Sequence, residues 1–234
     1  MTLRSRFFLI LGLLCASVTA ASAVTTFKDN FTSTKLNSKW KHVSENKGKL
    51  TPKNGKLNLV TSSKSKDTGG HLILTKPLPK VTENWEMQLT LENKAKSGEA
   101  WVGAAIANSA KPYDNMCGVE LYQQKGKRWI DTFHIQKGKE SDGPAKSTTA
   151  KKVYVRLVYK KSTKLITLYR RTSTSASWTK VLTYSPFNDK KQKYRGNWGL
   201  DKKKGKFTVA IYAGSKKVKV TAGTVTADSF VVKN

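Results

Sequence analysis

Cysteine is almost missing from this chain. Of the two in 234 residues, Cys15 falls in an N-terminal apolar segment, leaving Cys117 alone in the body of the protein. One thiol cannot form an internal disulfide, so stability must come from burial. With Met116 and Gly118 beside it and no histidine near it in sequence, Cys117 reads as a small buried hydrophobe and not as a nucleophile. Apolar runs long enough to cross a bilayer are also lacking. The one candidate, Phe7 to Leu14, is too short to span. It follows Arg4 and Arg6 and precedes Ala21-Ser22-Ala23, the pattern of an export signal over residues 1–23. The expected mature chain, 24–234, is then a soluble protein outside the cytoplasm, secreted or held in the periplasm or at the cell surface, with length for one β-sandwich domain and its core.

Acidic residues are scarce: 15 against 44 basic ones. Without Arg4 and Arg6 the basic count is 42 and the formal net charge +27. Arginine is scarce too, since 37 of the 44 basic residues are lysine. Lysine is a hydrated point charge without the fork that reads base edges or grips single phosphates. The charge therefore points to diffuse attraction for acidic polysaccharides, anionic envelope polymers or membrane surfaces, and away from specific nucleic-acid recognition. A general basic bias coating the exposed strand faces explains it equally well. His42, His71 and His134 are scattered, which excludes a spaced zinc set, and neither a phosphate-binding loop nor a nucleophile-elbow motif occurs.

No window carries sustained helical periodicity, whereas strand signals recur between clusters of Gly, Asn, Pro, Ser and Lys, so the chain is all-β. In Trp85 to Glu92 strict alternation assigns Trp85, Met87, Leu89 and Leu91 to a core. Trp101 to Ala107 is apolar and small-residue rich, as befits a central strand covered on both faces. Trp40, Trp85, Trp178 and Trp198 are assigned to packing. Phe27 to Phe31 and Trp198 to Leu200 are expected strands. Lys137 to Lys151 is expected to be a loop, and Asn30-Phe31-Thr32 matches a glycosylation acceptor.

The most informative segment runs from Gly118 to Phe133. If Lys125 and Gly126 form the turn of a hairpin, Glu120 lies opposite Asp131, and Tyr122 opposite Trp129, all four on one face, with Val119, Leu121 and Ile130 on the other. Aromatic rings stack on sugar faces and carboxylates orient hydroxyls, so Tyr122 and Trp129, with Trp101 as an addition, are candidate ligand-binding residues. Directly opposed residues have Cβ atoms about 4.5 to 5.5 Å apart, which suits the carboxyl spacing of about 5 Å in retaining glycosidases. Glu120 and Asp131 are thus candidate catalytic residues if the protein is an enzyme. Lys127 and Arg128 are expected to oppose any rise in their pKa. Equally, the two acids could simply neutralise nearby lysines on a solvated face.

Phe27-Lys28-Asp29-Asn30-Phe31, Leu36-Asn37-Ser38-Lys39-Trp40, Asn54-Gly55-Lys56-Leu57-Asn58-Leu59, Val155-Arg156-Leu157-Val158-Tyr159 and Ala227-Asp228-Ser229-Phe230-Val231-Val232 follow one another in an order that resembles the concanavalin A-like lectin and glucanase superfamily, in its laminin-G-like group. The resemblance implies a two-sheet antiparallel jelly-roll sandwich with adjacent first and last strands, and a concave sheet where relatives bind or cleave glycans. It also implies that Asp29 and Asp228 would meet and could hold a structural calcium. The Glu-x-Asp-x-x-Glu signature of family 16 glycoside hydrolases is missing. Gly118-Val119-Glu120-Leu121-Tyr122 is similar to the Gly-x-Glu-x-Gln strand of 3-keto-disaccharide hydrolase domains, with Tyr122 in place of glutamine. Three function classes follow: a non-catalytic glycan-binding protein, a glycoside hydrolase-type enzyme using Glu120 and Asp131, and a structural envelope protein with no ligand site.

Overall fold

A computed structural model describes residues 25–61 and 67–234; the expected export signal lies outside them. The described residues contain strands and no helix, and no helix long and apolar enough to cross a membrane is present among them. They form two sheets. One runs β15 (Tyr194–Arg195), β14 (Thr179–Ser185), β13 (Leu165–Arg171), β12 (Lys152–Lys160), β6 (Trp85–Asn93), β17 (Val225–Lys233), β4 (Lys56–Val60) and β3 (Lys49–Lys53), with β1 (Thr25–Asp29) also on β17. The other runs β10 (Lys139–Asp142), β9 (Lys127–Gln136), β8 (Asn115–Gln124), β7 (Glu99–Asn108), β16 (Phe207–Lys216), β5 (Thr68–Leu74) and β2 (Trp40–Glu45), with β11 (Lys146–Thr148) also on β9. Every pairing is antiparallel except the two-residue contact of β14 with β15. The first and last strands are neighbours, as a jelly-roll sandwich requires.

Side-chain alternation builds the core between the sheets. Trp85, Met87, Leu89 and Leu91 are all buried, as the alternation of β6 dictates, and Val119, Leu121 and Ile130 meet them from the second sheet. Replacing Leu89 by alanine removes buried methyl groups and leaves a cavity, so a loss of about 2 to 5 kcal/mol is expected, read as a lower urea midpoint at unchanged slope.

Four expectations change. Lys137 to Lys151 is not a plain loop: β10 and β11 both hydrogen-bond to β9, and Gly143, packed on Thr132, turns the chain between them. Its polar sequence concealed two edge strands, which need no apolar face when one side is wet. Trp178 is not in the core. It precedes β14 and lies half-exposed beneath the Arg171 guanidinium, 4.4 Å from the ring centre. Trp198 is buried, but Trp198 to Leu200 form no strand. Finally, β1 stops at Asp29, because Phe31 adopts left-handed backbone (φ 52°) held by its N–H donating to Asp29 Oδ1 at 2.8 Å. Asn30 is therefore exposed just after a strand end. The strand β7 is central, between β8 and β16, with one face in the core. Its other face is covered by side chains of neighbouring strands and not by a second layer.

Candidate functional site

Lys125 and Gly126 both adopt positive φ, 49° and 81°, the requirement of a type I′ turn. That turn sets the register of β8 on β9, with Glu120 opposite Asp131 and Tyr122 opposite Trp129. All four point away from the core, where Val119, Leu121 and Ile130 lie. Across the sheet two rows of side chains extend from them. One row comprises His71, Tyr212, Gly103, Glu120 and Asp131, each on a successive strand from β5 to β9. The neighbouring row comprises Gly214, Trp101, Tyr122 and Trp129. The five residues singled out by sequence, Glu120, Asp131, Tyr122, Trp129 and Trp101, thus share one face.

The floor of this face is made of small residues for a steric reason. A Cβ on Gly103 would collide with the Tyr212 phenol, one on Gly118 with the Phe133 ring and one on Gly214 with the Trp101 indole. Glycine lets each ring lie down on the neighbouring strand and not stand off it. Between the rings is a cavity of about 350 Å³ lined by Trp101, Phe133, Tyr212, His71, Tyr113 and Glu140 among others, within the range of small-ligand sites. Gly103→Ala is expected to lift Tyr212 from its place, costing about 1 to 3 kcal/mol of stability and changing the near-UV tyrosine signal without changing strand content.

Polar groups lie on two sides of the rings: Glu45, His71 and Glu140 line the cavity, while Glu120 and Asp131 adjoin it on β8 and β9. On one, His71 Nε2 lies 2.8 Å from Glu45 Oε1, and its ring stacks on Tyr212 at 6.1 Å while meeting the edge of Tyr113 at 5.7 Å. The hydrogen bond to His71 holds Glu45 below the usual carboxylate range, against the effect of its burial. On the other, burial pushes the Glu120 carboxyl up to about 8, with Asp131, Glu140 and Asp142 adding to the rise and the Tyr212 hydroxyl opposing it. Part of Glu120's surface still meets solvent, but the depth of the group is what governs its charge. Asp131 is pushed up to about 6 by burial and then by Asp142. The Tyr212 hydroxyl is near enough to Glu120 to influence it, yet no hydrogen bond of good geometry closes between them.

Arg128 does not oppose these shifts as its sequence neighbourhood suggested. It falls on the opposite face of β9, where its guanidinium donates to the Asn93 and Ala95 carbonyls at 3.0 and 2.8 Å. Tyr122 donates to Glu99 Oε2 at 3.2 Å, and its ring is tilted 45° to Trp129 at 5.9 Å, so the two rings do not make one flat platform. Trp129 instead borders a shallow depression with Ser147 and Thr148 of β11, while Trp101 lines the cavity itself.

The residues present do not fit a calcium between Asp29 and Asp228. Asp29 faces Phe230, and its two carboxylate oxygens accept from the Phe31 N–H and from Trp40 Nε1, the latter at 2.9 Å. Among the described residues no group of three or more histidine, cysteine or acidic side chains has the geometry of a metal site. Cys117 is fully buried, and burial pushes its thiol far above the ordinary range, as for an inert hydrophobe. Sequence reading missed His71, Tyr212, Phe133, Glu45 and Glu140. The available signal was glycine inside strand-like runs, at Gly103, Gly118 and Gly214, which marks close approach of another group.

No protein-family model and no curated protein matches the sequence. Solved structures do resemble the fold. A carbohydrate-binding module, CBM2, of the evolved Dit of Lactobacillus casei BL23 phage J-1 superposes with a TM-score of 0.62 at 6% identity, covering 90% of this chain and 95% of the other. A lectin from Bauhinia forficata in complex with GalNAc gives 0.56 at 12%, covering 91% and 98%. The GH43 protein BlXynB from Bacillus licheniformis gives 0.55 at 17%, with 88% of this chain matching 38% of that longer one. At these identities the likeness is one of fold: the chain is a two-sheet jelly roll like these proteins.

Proposed function

We propose that this concanavalin A-like jelly roll is an exported glycan-binding protein whose ligand lies on the face of β5, β16, β7, β8 and β9. The observation that carries the reading is the cavity in which Trp101, Tyr212 and Phe133 lie down on glycine or opposite it, flanked by polar groups. Rings give flat apolar surface for sugar faces, and carboxyls, phenol and imidazole give donors and acceptors for hydroxyls. The lectin bound to GalNAc and the carbohydrate-binding module are of the same fold, which supports the reading without identifying a sugar. The export-signal pattern of residues 1–23 supports a place outside the cytoplasm. The lysine-rich outer surface supports a second, diffuse attraction for acidic polymers.

The test is a glycan array followed by calorimetric titration of the mature chain, with Trp101→Ala and Trp129→Ala alongside. Trp101→Ala is expected to weaken binding by about 1 to 3 kcal/mol, the loss of one buried aromatic contact, and Trp129→Ala by less. Unchanged affinity in Trp101→Ala, with melting temperature preserved, places the ligand elsewhere and ends this reading.

A catalytic reading has one specific observation in its favour: Glu120 and Asp131 face each other with pKa values pushed to about 8 and about 6, an acid and a base at neutral pH. If the site turns over a glycoside, Glu120→Gln stops turnover and leaves the ligand bound, because the amide keeps the shape and loses the proton. No release of reducing sugar from any bound glycan sets this second reading aside.

A further inference from the structure

Glu120 on β8, Asp131 on β9, and Glu140 and Asp142 on β10 project to the same end of the trough: Glu120 opposite Asp131, Asp142 opposite Phe133, Glu140 opposite Ile135. In a chain with 44 basic residues, none of these four carboxyls forms an ion pair among the described residues. The pairs that do occur engage Glu45, Asp67, Glu83, Glu86 and Glu92. Glu140 and Asp142 stand exposed on the β10 edge, while Glu120 and Asp131 are half-buried near Tyr212. Two buried polar atoms here also lack any hydrogen-bond partner. One is the hydroxyl of Tyr212, a cavity-lining residue only 7% exposed, and the other is Asp131 Oδ1. Buried groups left unmatched cost stability unless something satisfies them.

What would satisfy them has a definite chemistry. Several acceptors with one phenol, next to ring faces, match a compact cation with several N–H donors: an ammonium donates charge-assisted hydrogen bonds to carboxylates and is attracted by aromatic faces. A divalent metal fits less well, since the described residues provide no convergent ligand set. We propose that this end of the trough takes the ammonium group of an amino-sugar residue, so that the ligand is a glycan carrying free amino groups. The proposal rests on the glycan-binding reading above and narrows its substrate class. The lysines on other surfaces act weakly here, because at about 0.15 M salt their field falls off within roughly 8 Å. The same carboxyls disfavour a uronate or sulfated sugar in the trough, which confines acidic polymers to the outer faces.

The probes are a glucosamine tetrasaccharide and the N-acetylglucosamine tetrasaccharide of the same linkage, titrated into the mature chain by calorimetry. The free-amine oligomer is expected to bind about tenfold more tightly or better. The double variant Asp131→Asn, Glu140→Gln is expected to bring the two oligomers to equal affinity with the fold intact by circular dichroism. Glu86→Gln, on the other sheet, is expected to leave the preference unchanged. Affinity for the amine should also rise from about pH 5 to about pH 6.5, as Asp131 loses its proton while Glu120 keeps its own. The groups on this face are Glu120, Asp131, Glu140, Asp142, Lys127, Tyr122 with its partner Glu99, and Tyr212 backed by His71, while His134 lies on the other face of β9 against Tyr184 and Tyr194. Equal affinity for the two oligomers in the wild type, or a preference for the N-acetylated one, overturns the amino-sugar inference and leaves glycan binding standing. A preference that survives in the double variant also overturns it. Failure of both oligomers and of every neutral glycan on the array overturns the glycan reading itself, and the inference with it.

Discussion

Replacing Glu120 with glutamine is expected to make the protein more stable in alkaline solution. In the unfolded chain this carboxyl loses its proton near 4.5, and in the folded chain it holds it to about 8. Between those values the folded state binds more protons than the unfolded state, so stability falls as pH rises. The contribution is present in full below the unfolded value and is lost as the pH passes through the folded one. Asp131, raised from 3.8 to about 6, acts with the same sign over a lower and narrower window. With water reaching part of the trough, the Glu120 contribution is on the order of 2 to 4 kcal/mol. Glutamine keeps the shape and never ionises, so its variant escapes the loss. Urea midpoints at about pH 5 and about pH 9 check this. The wild type should fall between them and Glu120→Gln should fall much less; parallel curves would mean that Glu120 is ionised in the fold at neutral pH. A buried carboxyl that weakens the fold as it ionises is poorly explained by stability, and strongly shifted groups in clefts mark functional sites, which is why Glu120 matters to both functional readings.

The second large effect concerns charge. An acidic polysaccharide is expected to bind a chain of residues 24–234 tightly at low salt and to leave it almost completely by about 1 M, where screening acts within roughly 3 Å. A neutral or aminated oligosaccharide in the trough should lose far less over the same range, because its contacts are short, partly apolar and shielded from bulk ions. The two ligands should also bind together without competing, since the lysines lie outside the acidic trough. Affinity chromatography on a polyanion with and without saturating oligosaccharide reads both points. Retention of the polyanion unchanged at high salt, or its displacement by the small sugar, would show that the two share the trough.

How much is legible in local sequence differs from one element to the next. The core of β6 follows from four alternating residues, and the hairpin from one turn that only a Lys-Gly pair at positive φ needed to make. Once Lys125 and Gly126 turn, the pleat alone brings Glu120 opposite Asp131 and Tyr122 opposite Trp129, and sends Arg128 to the far face. The period-two rule that pairs the acids is therefore the same rule that takes Arg128 away from them. Local chemistry could go no further. Tyr212 lies against Gly103, and His71 against Tyr212, through strand pairings between distant segments that no turn or periodicity encodes. Glu140 and Asp142 reach the site because a polar segment adds itself to a sheet edge, where backbone hydrogen bonds alone direct the pairing and side chains carry little signal. The all-β class, the buried stripe of β6, the inert Cys117 and the facing pair of acids each depend on neighbours within a turn or a strand, and the order of residues is enough to specify them. That those acids share one sheet face with a tyrosine, a histidine and two more carboxyls beside a cavity is a matter of tertiary structure, because strand order across a sheet is settled by the packing of the whole core.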